Sequence, residues 1–283
     1  MQIARFNGGR IGVVAGEAVH DVSAICGVDP GEWPPVGMVR VIAQWPSLRP
    51  QIEAAIRLGA GVPLASVTLQ TPIPWPNKLL ALPANFRDHQ DEMRGRPYAV
   101  AAGNDQSGFF MKANSSMIGP SETIVIPAGK PDREFHHECE MAIVIGQRGR
   151  NIPVEDALGY IFGYACLIDV TMRGKEERVM RKSYETFCPV GPWITTADEV
   201  GSPFDLNMRL WVNGELRQHS TPKLMIVGIA EAIAMSSAVT TLEPGDIIAS
   251  GTMAGVGPLV PGDVVTIEID RVGKMTLPVA AAD

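Results

Sequence analysis

Glu138 and Glu140 stand two positions apart and are followed directly by the apolar segment 141–145. On a single β-strand their side chains would point to the same face, separated by about 6.6 Å of rise. Two like charges beside an apolar strand repel each other and lose hydration, which is unfavourable unless something compensates. A divalent cation is the simplest compensation, and an exposed strand end with two solvated acids is the alternative for this stretch alone.

A third acid, Asp169, follows an apolar segment and is expected where a buried strand opens into a loop. Alone, an aspartate at a strand end is more often a turn former or a cap. Together with the two glutamates it would form an oxygen-only site without Cys or His ligands. Such hard ligands favour Mg²⁺ or Mn²⁺, with Ca²⁺ also possible, over Zn²⁺. We interpret the adjacent His136 and His137 as flanking residues.

A histidine and a glutamate, His89 and Glu92, are three positions apart in the polar segment 85–92. On a helical turn they share a face, so Glu92 can hold the ring of His89 for proton transfer. This pair is the minimum apparatus for activating a water molecule. A solvated helical turn is the alternative, because this spacing is common by chance.

Two further segments carry groups that suit an anionic ligand. Lys182 precedes an aromatic, Pro- and Gly-rich turn and could lie against a carboxylate or an enolate, although a surface lysine is the simpler interpretation. The glycine-rich segment 250–257 offers backbone N–H donors, such as that of Gly251, and the hydroxyl of Thr252. It is not a phosphate-binding P-loop, since no Gly-Lys-Ser/Thr follows.

The composition is that of an ordinary globular protein and excludes several classes. Hydrophobic residues make up 46% and charged residues 19% of the 283 positions, which argues against disorder and coiled coil. The net charge of -7 and the absence of basic runs argue against nucleic-acid binding. No segment has the length and apolarity of a membrane span, and the first residues lack a signal-peptide pattern. With four scattered cysteines, these features predict a cytoplasmic protein.

The elements that position these residues are expected to be mostly strands. Residues 2–22 alternate like short antiparallel strands, and a helix is predicted at 48–58. The proline-rich stretch 71–76 is interpreted as a connector, which divides the chain into a small N-terminal mainly β domain, residues 1–70, and a catalytic domain, residues 71–283.

In the catalytic domain, residues 71–283, strands and helices do not alternate in the βαβ pattern of a nucleotide-binding fold. A loop with a helical turn is expected at 87–108 and one long helix at 223–240. Strands are predicted at 141–145, 160–168, 246–249, 264–269 and 274–279. The fold class is therefore a strand-dominated α+β protein.

Five ordered motifs resemble those of the fumarylacetoacetate hydrolase family, over residues 79–279. They are Asn-Tyr-x-x-His-x-x-Glu at 85–92, Glu-x-Glu followed by an apolar strand at 138–145, Asn-Asp-x-(Ser/Thr)-Ala-Arg at 168–173, Lys-Ser-(Phe/Tyr)-x-Thr-Phe-x-Pro-x-Gly-Pro-Trp at 182–193, and Leu-x-Pro-Gly-Asp-x-Ile-x-x-Gly-Thr-Pro-x-Gly-Val-Gly at 242–257. The chain departs from these patterns at Phe86 (for Tyr), Ile168 (for Asn), Met172 (for Ala) and Met253 (for Pro). Each motif alone is weak, and their order makes the resemblance specific.

The resemblance implies a β-roll catalytic domain in a homodimer, with a variable N-terminal β domain. It also implies the roles of the site residues. The expected metal ligands are Glu138, Glu140 and Asp169, the water-activating pair on a lid is His89 and Glu92, the groups that polarise the substrate are Lys182 and Arg173, and the groups that meet its carboxylate are Thr252 and Gly251.

The function that this resemblance implies is an acylpyruvate hydrolase. The expected substrate is a small 2-oxo acid, specifically a 2,4-dioxo acid such as fumarylpyruvate or maleylpyruvate from the catabolism of aromatic compounds, and its cleavage gives pyruvate and a carboxylic acid. Isomerisation, decarboxylation or sugar-acid dehydration through the same enolate-stabilising site is the first alternative. A non-catalytic metal-stabilised scaffold is the second.

Overall fold

Strands predominate in residues 1–94, 108–130 and 132–282, which are the residues that the computed structural model describes. The strands are β1 Gln2–Phe6, β2 Arg10–Ala15, β3 Ala18–Asp21, β4 Val62–Pro63, β5 Leu69–Gln70, β6 Leu79–Ala81, β7 Phe110–Met111, β8 Met117–Ile118, β9 Ile124–Ile126, β10 Phe135–His137, β11 Cys139–Ile145, β12 Ile161–Ile168, β13 Thr171–Met172, β14 Cys188–Thr196, β15 Met208–Val212, β16 Glu215–Ser220, β17 Ile247–Ala249, β18 Gly257–Pro258, β19 Val264–Ile269 and β20 Gly273–Ala281.

The helices of these residues are fewer and mostly short. The α-helices are α1 Gly37–Ala43, α2 Trp45–Leu58, α3 Arg87–Met93, α4 Arg178–Lys182, α5 Ala197–Val200 and α6 Ile229–Val239, and single 3₁₀ segments lie at Leu64–Ser66, Asn114–Ser116, Val154–Tyr160 and Pro222–Leu224. The strand-dominated α+β class predicted from the sequence is confirmed. None of these helices has the length and apolar character needed to cross a lipid bilayer.

The centre of the molecule is a twelve-stranded sheet in which β11 lies between β12 and β17. Every residue of β11 and β12 is buried, which explains why both read as continuous apolar runs rather than as alternating patterns. The two strands are antiparallel, with Cys139 opposite Ile168. The start of β11 and the end of β12 therefore lie side by side at one edge of the core.

Two smaller sheets flank this one and bring other segments to the same edge. A three-stranded sheet has the order β13-β10-β18, and a five-stranded sheet has the order β16-β15-β19-β20-β9. The hairpin of β15 and β16 was not predicted, although Asn213 and Gly214 between its strands have positive φ angles of 53° and 80° and form the Asn-Gly turn typical of hairpins.

The N-terminal strands form the predicted antiparallel series and also join the central sheet. Strand β1 pairs with β2 on one side and with β14 on the other, where Gln2 lies opposite Thr195. Ile3 and Ile11 share one apolar cluster with Val190 and Ile194 of β14. The division of the chain at residue 71 stays a prediction.

The long helix predicted at 223–240 is shorter than expected, since α6 covers only Ile229–Val239. The residues before it are held in another conformation by Asn85. The backbone N–H of Ile226 donates to the Asn85 carbonyl, and that of Val227 donates to the Asn85 side chain. Helix α2 starts earlier than predicted, at Trp45, and α1 was not predicted. Of the predicted loop 87–108, residues 95–107 lie outside the described residues.

Candidate active site

The three acids that the sequence singles out come together at the edge where β11 starts and β12 ends. One carboxylate oxygen from each of Glu138, Glu140 and Asp169 lies within 4.8 Å of those of the other two, and all three residues are buried. The backbone explains this convergence, because Asp169 directly follows β12 and its N–H donates to the carbonyl of Glu138 at 2.9 Å. Glu140 lies within β11, whereas Glu138 forms the joint between β10 and β11.

The electrostatics of this acid cluster, defined as these three residues, fit a divalent cation. Burial and the negative charges of Asp169 and Glu138 raise the pKa of Glu140. Burial also opposes ionisation of Glu138, but the positive charges of Lys182 and Arg173 outweigh it and leave the pKa of Glu138 lowered. A buried set of mutually repelling carboxylate oxygens, without Cys or His, matches the ligand preference of Mg²⁺ or Mn²⁺.

Lys182 lies directly against the acid cluster. Its Nζ donates to Glu138 Oε2 at 2.6 Å, to Asp169 Oδ2 at 2.5 Å and to Thr171 Oγ1 at 2.7 Å. Burial alone would lower the pKa of Lys182, but the charges of Asp169 and Glu138 raise it overall. The interpretation of Lys182 as a surface lysine is therefore wrong, and the residue is a buried, charged member of the site.

A second buried lysine, Lys112, was missed by the sequence analysis. Its Nζ donates to Asp169 Oδ1 at 2.5 Å and to the Phe187 carbonyl at 3.3 Å, and it also bonds to the Lys182 carbonyl. The signal available in the sequence was a lysine directly after the apolar residues Phe110 and Met111. Such a position suits a buried charge only if a partner is present.

Arg173 completes the positive charge on this side. Its Nη2 lies 2.9 Å from Glu138 Oε1, and only 7% of the residue is exposed. The Arg173 N–H donates to the carbonyl of Glu134, the residue just before β10, at 2.8 Å. The expected role of Arg173 in substrate polarisation stays a prediction, supported by its place beside the acid cluster.

His89 and Glu92 form the expected pair on helix α3. His89 Nδ1 lies 2.9 Å from Glu92 Oε2, and the other oxygen, Glu92 Oε1, accepts a hydrogen bond from the Gly255 N–H at 3.0 Å. Although burial opposes ionisation of Glu92, these two hydrogen bonds leave its pKa lowered, so Glu92 is a carboxylate at neutral pH. Because a carboxylate only accepts, the ring proton of His89 lies on Nδ1 and Nε2 is left as the basic nitrogen.

The glycine-rich segment 250–257 joins this pair to the acid cluster. The Gly251 N–H donates to Glu140 Oε2 at 2.8 Å, and the Thr252 hydroxyl donates to the Cys139 carbonyl at 2.9 Å. The same segment holds Glu92 through Gly255. Gly251 and Thr252 therefore contact Glu140 and Cys139 of β11 directly. Their contact with a substrate carboxylate stays a prediction.

A buried amide that the sequence analysis missed, Gln218 of β16, connects these parts. Its Oε1 accepts from the Cys139 N–H at 2.9 Å and lies 3.0 Å from His137 Nδ1. Its Nε2 donates to Thr252 Oγ1 at 2.8 Å and to the Met253 carbonyl at 2.9 Å. Burial lowers the pKa of His137 to about 4, so this ring is neutral and donates from Nδ1. No local sequence pattern marks Gln218, because its partners are far away in the chain.

Residues 78–280 match the family described as fumarylacetoacetate (FAA) hydrolase C-terminal. The chain is 42% identical to the maleylpyruvate hydrolase of Aquipseudomonas alcaligenes over 98% of each protein.

Two crystal structures of the maleylpyruvate hydrolase of Sphingobium sp. SYK-6 superpose on the chain over the full length of both proteins. The one in complex with manganese(II) ion and pyruvate has a TM-score of 0.91 and 47% identity. The other has a TM-score of 0.90 and 48% identity. The likeness thus extends beyond the family match to the N-terminal region.

Proposed function

This chain belongs to the fumarylacetoacetate hydrolase family, and from that membership we propose that it is a divalent-metal-dependent hydrolase of 2,4-dioxo acids. The proposed substrate is an acylpyruvate such as maleylpyruvate or fumarylpyruvate, from the breakdown of aromatic compounds. Its cleavage between C3 and C4 gives pyruvate and a carboxylic acid. The full-length likeness to two maleylpyruvate hydrolases supports this substrate class over others in the family.

The observation that carries the proposal is the hydrogen-bonded pair His89 and Glu92, fixed to the acid cluster by one loop. Gly255 of that loop holds Glu92, and Gly251 of the same loop holds Glu140. A base for water and a site for a divalent cation are therefore joined through the backbone of one loop. Hydrolysis needs both, since the base supplies hydroxide and the cation site binds the 2-oxo-carboxylate group.

The residues that would hold the metal are Glu138, Glu140 and Asp169. Bound there, Mg²⁺ or Mn²⁺ supplies a Lewis acid that withdraws electrons from the 2-oxo-carboxylate group. Three cations, Lys112, Lys182 and Arg173, lie beside these carboxylates and contact Asp169 or Glu138. These cations raise the local positive potential that an anionic substrate meets.

His89 Nε2 takes a proton from water, and Glu92 stabilises the resulting imidazolium through Nδ1. The hydroxide adds to the C4 carbonyl carbon of the substrate. The C3–C4 bond then breaks, so that C4 becomes the carbon of the released carboxylic acid and C3 belongs to the enolate of pyruvate. Lys182 and Arg173, which both contact Glu138, stabilise the charge of this enolate in the proposed reaction, and the proton on His89 returns to C3.

Isomerisation, decarboxylation and sugar-acid dehydration would use the same acid cluster without a water nucleophile. The pair on α3 favours hydrolysis over these reactions, because Glu92 fixes the ring nitrogen that would deprotonate water. The pair also argues against a non-catalytic scaffold, which needs no base.

The test is an assay of purified protein with maleylpyruvate and MnCl₂. Pyruvate is followed with lactate dehydrogenase, while the ultraviolet absorbance of the diketone is followed in parallel. We expect both signals to change in equal amounts and to depend on the metal. Loss of absorbance without pyruvate would indicate tautomerisation instead, and no change in either signal would contradict catalysis on this substrate.

We also propose a cytoplasmic homodimer. All four cysteines are free and buried, which suits a reducing compartment, and the family resemblance implies a dimer. Size-exclusion chromatography with light scattering tests the assembly, and we expect twice the mass of the 30.4 kDa chain.

A further inference from the structure

Helix α4 carries two cations on one face, at different distances from the acid cluster. Arg178 and Lys182 are four residues apart, so they lie one above the other, about 6 Å apart along the helix. The ring of Phe110 confirms this arrangement, because the Arg178 guanidinium carbon lies 5.4 Å from its centroid and Lys182 Nζ lies 5.5 Å from it. Lys182 contacts the acids directly, so Arg178 lies one helical turn farther out.

Within the part of the chain that the structure describes, the guanidinium of Arg178 forms no ion pair, although the charges of Glu138 and Glu177 act on it. Among residues 1–94, 108–130 and 132–282, neither Arg178 nor Arg181 has a carboxylate oxygen within 4.0 Å, whereas Arg173 and Lys182 are both paired with Glu138. Arg181 donates from Nε to the Glu176 carbonyl at 2.8 Å.

This excess of positive charge lies close to the acid cluster. Burial lowers the pKa of both the Arg178 and the Arg181 guanidinium, and the charge of Glu138 acts on each of them in the opposite direction. The positive charges of Arg173 and Arg178 add to the lowering of the Arg181 pKa, so Arg181 is repelled by both. Partly buried cations that form no ion pair among the described residues favour the binding of an anion.

We propose that Arg178 binds the carboxylate at the far end of the substrate, with Arg181 strengthening the local charge, and that this contact selects dicarboxylic 2,4-dioxo acids over monocarboxylic ones. This inference rests on the proposed function. With the 2-oxo-carboxylate end (C1 and C2) at the acid cluster, the five bonds from C2 to the second carboxylate carbon, C7, of a seven-carbon diacid span a length similar to one helical turn. A guanidinium can hold the second carboxylate there through two parallel hydrogen bonds.

The selectivity is tested by comparing maleylpyruvate, which has two carboxylates, with acetylpyruvate, which has one. In the Arg178→Gln variant we expect the KM for maleylpyruvate to rise about tenfold or more and the KM for acetylpyruvate to change less than twofold. Arg178→Lys should recover part of the loss for maleylpyruvate. The matched control is Lys175→Gln, which removes one positive charge from an exposed position nearby and should leave both KM values unchanged.

Binding without turnover separates this inference from the proposed function. Calorimetry on the manganese-loaded His89→Ala protein, with and without Arg178→Gln, gives the dissociation constants of both acids. If Arg178→Gln weakens the binding of maleylpyruvate but not that of acetylpyruvate, the inference is supported. Equal weakening for both acids, unchanged affinity for maleylpyruvate, or no binding of either acid overturns it. Failure of the proposed function would appear differently, as wild-type protein that binds maleylpyruvate but releases no pyruvate.

Discussion

Three buried cations and three buried carboxylates lie side by side in the candidate active site, but they are not evenly matched. Lys112, Lys182 and Arg173 pair with Asp169 and Glu138, whereas among the described residues no lysine or arginine nitrogen lies within 4.0 Å of Glu140. Glu140 Oε2 instead accepts a hydrogen bond from the Gly251 N–H. Buried ion pairs add little to stability, because desolvation offsets their attraction. We therefore assign this arrangement to chemistry rather than to folding.

The role of His89 separates water activation from metal binding. We expect His89→Ala to lower kcat by at least about a thousandfold, because no other base in the described site contacts Glu92, while the affinity for Mn²⁺ stays the same. Steady-state kinetics and calorimetry check the two parts. His219→Ala, at an exposed histidine bonded to Asn207, is the control and should leave both unchanged. Turnover at the wild-type rate in His89→Ala would remove His89 from the mechanism.

The loop 250–257 depends on a glycine that has no room for a side chain. Gly251 has a φ of 78°, and a Cβ there would lie 2.5 Å from Asn85 Cβ and 2.9 Å from the Leu82 carbonyl oxygen. Gly8 has a similar φ of 80°, but a Cβ added to it would have no atom within 4 Å, so Gly8→Ala reports the backbone strain alone.

We expect Gly251→Ala to lower the free energy of unfolding by about 2 kcal/mol more than Gly8→Ala, because only the former adds a collision. Chemical denaturation measures both variants. The Gly251→Ala substitution should also weaken Mn²⁺ binding, because it displaces the N–H that holds the Glu140 carboxylate. Equal destabilisation by the two substitutions would show that the loop 250–257 can move to accept a side chain at position 251 without a further loss of stability.

The amide of Gln218 connects β16 to the start of β11 and to the loop. We expect Gln218→Leu to lower the free energy of unfolding by about 2 to 4 kcal/mol, because it leaves the buried Cys139 N–H and the Met253 carbonyl without this partner. Gln147→Leu is the matched control, at an exposed glutamine with one hydrogen bond to Gly159, and should change stability by less than about 0.5 kcal/mol. A stable Gln218→Leu protein with full activity would contradict the connecting role.

At the scale of elements, the sequence predicts the strands and helices that a local residue pattern determines. It misses the features that depend on contacts between residues far apart in the chain. The apolar runs of β11 and β12 and the His-x-x-Glu turn of α3 are visible locally. The shorter α6 is not, because Asn85 binds the residues before it from 142 positions away. Lys112 and Gln218 were missed for the same reason, since their partners lie 57 and 79 positions away.

At the scale of the whole molecule, the N-terminal strands and the catalytic region share one sheet and one apolar cluster. We expect a single cooperative unfolding transition in which both regions melt together, because β1 pairs with β14 and Ile3 packs in the cluster that includes Ile194. Differential scanning calorimetry measures this. Two resolved transitions would show that residues 1–70 fold independently and would favour the predicted domain boundary.

The charge of the whole chain and that of the site have opposite signs. The net charge is -7, yet the positive groups Lys112, Arg173, Arg178, Arg181 and Lys182 gather around the acid cluster. A local positive potential in a negative protein suits a small dianionic substrate and disfavours large polyanions.

The central claim is that Glu138, Glu140 and Asp169 hold one divalent cation. Its most direct test is calorimetric titration of the purified protein and its Glu140→Gln variant with Mn²⁺. We predict saturable binding of one ion per chain in the wild type and a loss of affinity of at least a hundredfold in the variant, because the variant keeps the size of the side chain but removes one charged ligand. Absence of saturable Mn²⁺ binding to the wild type, or equal affinity in the variant, would contradict the account.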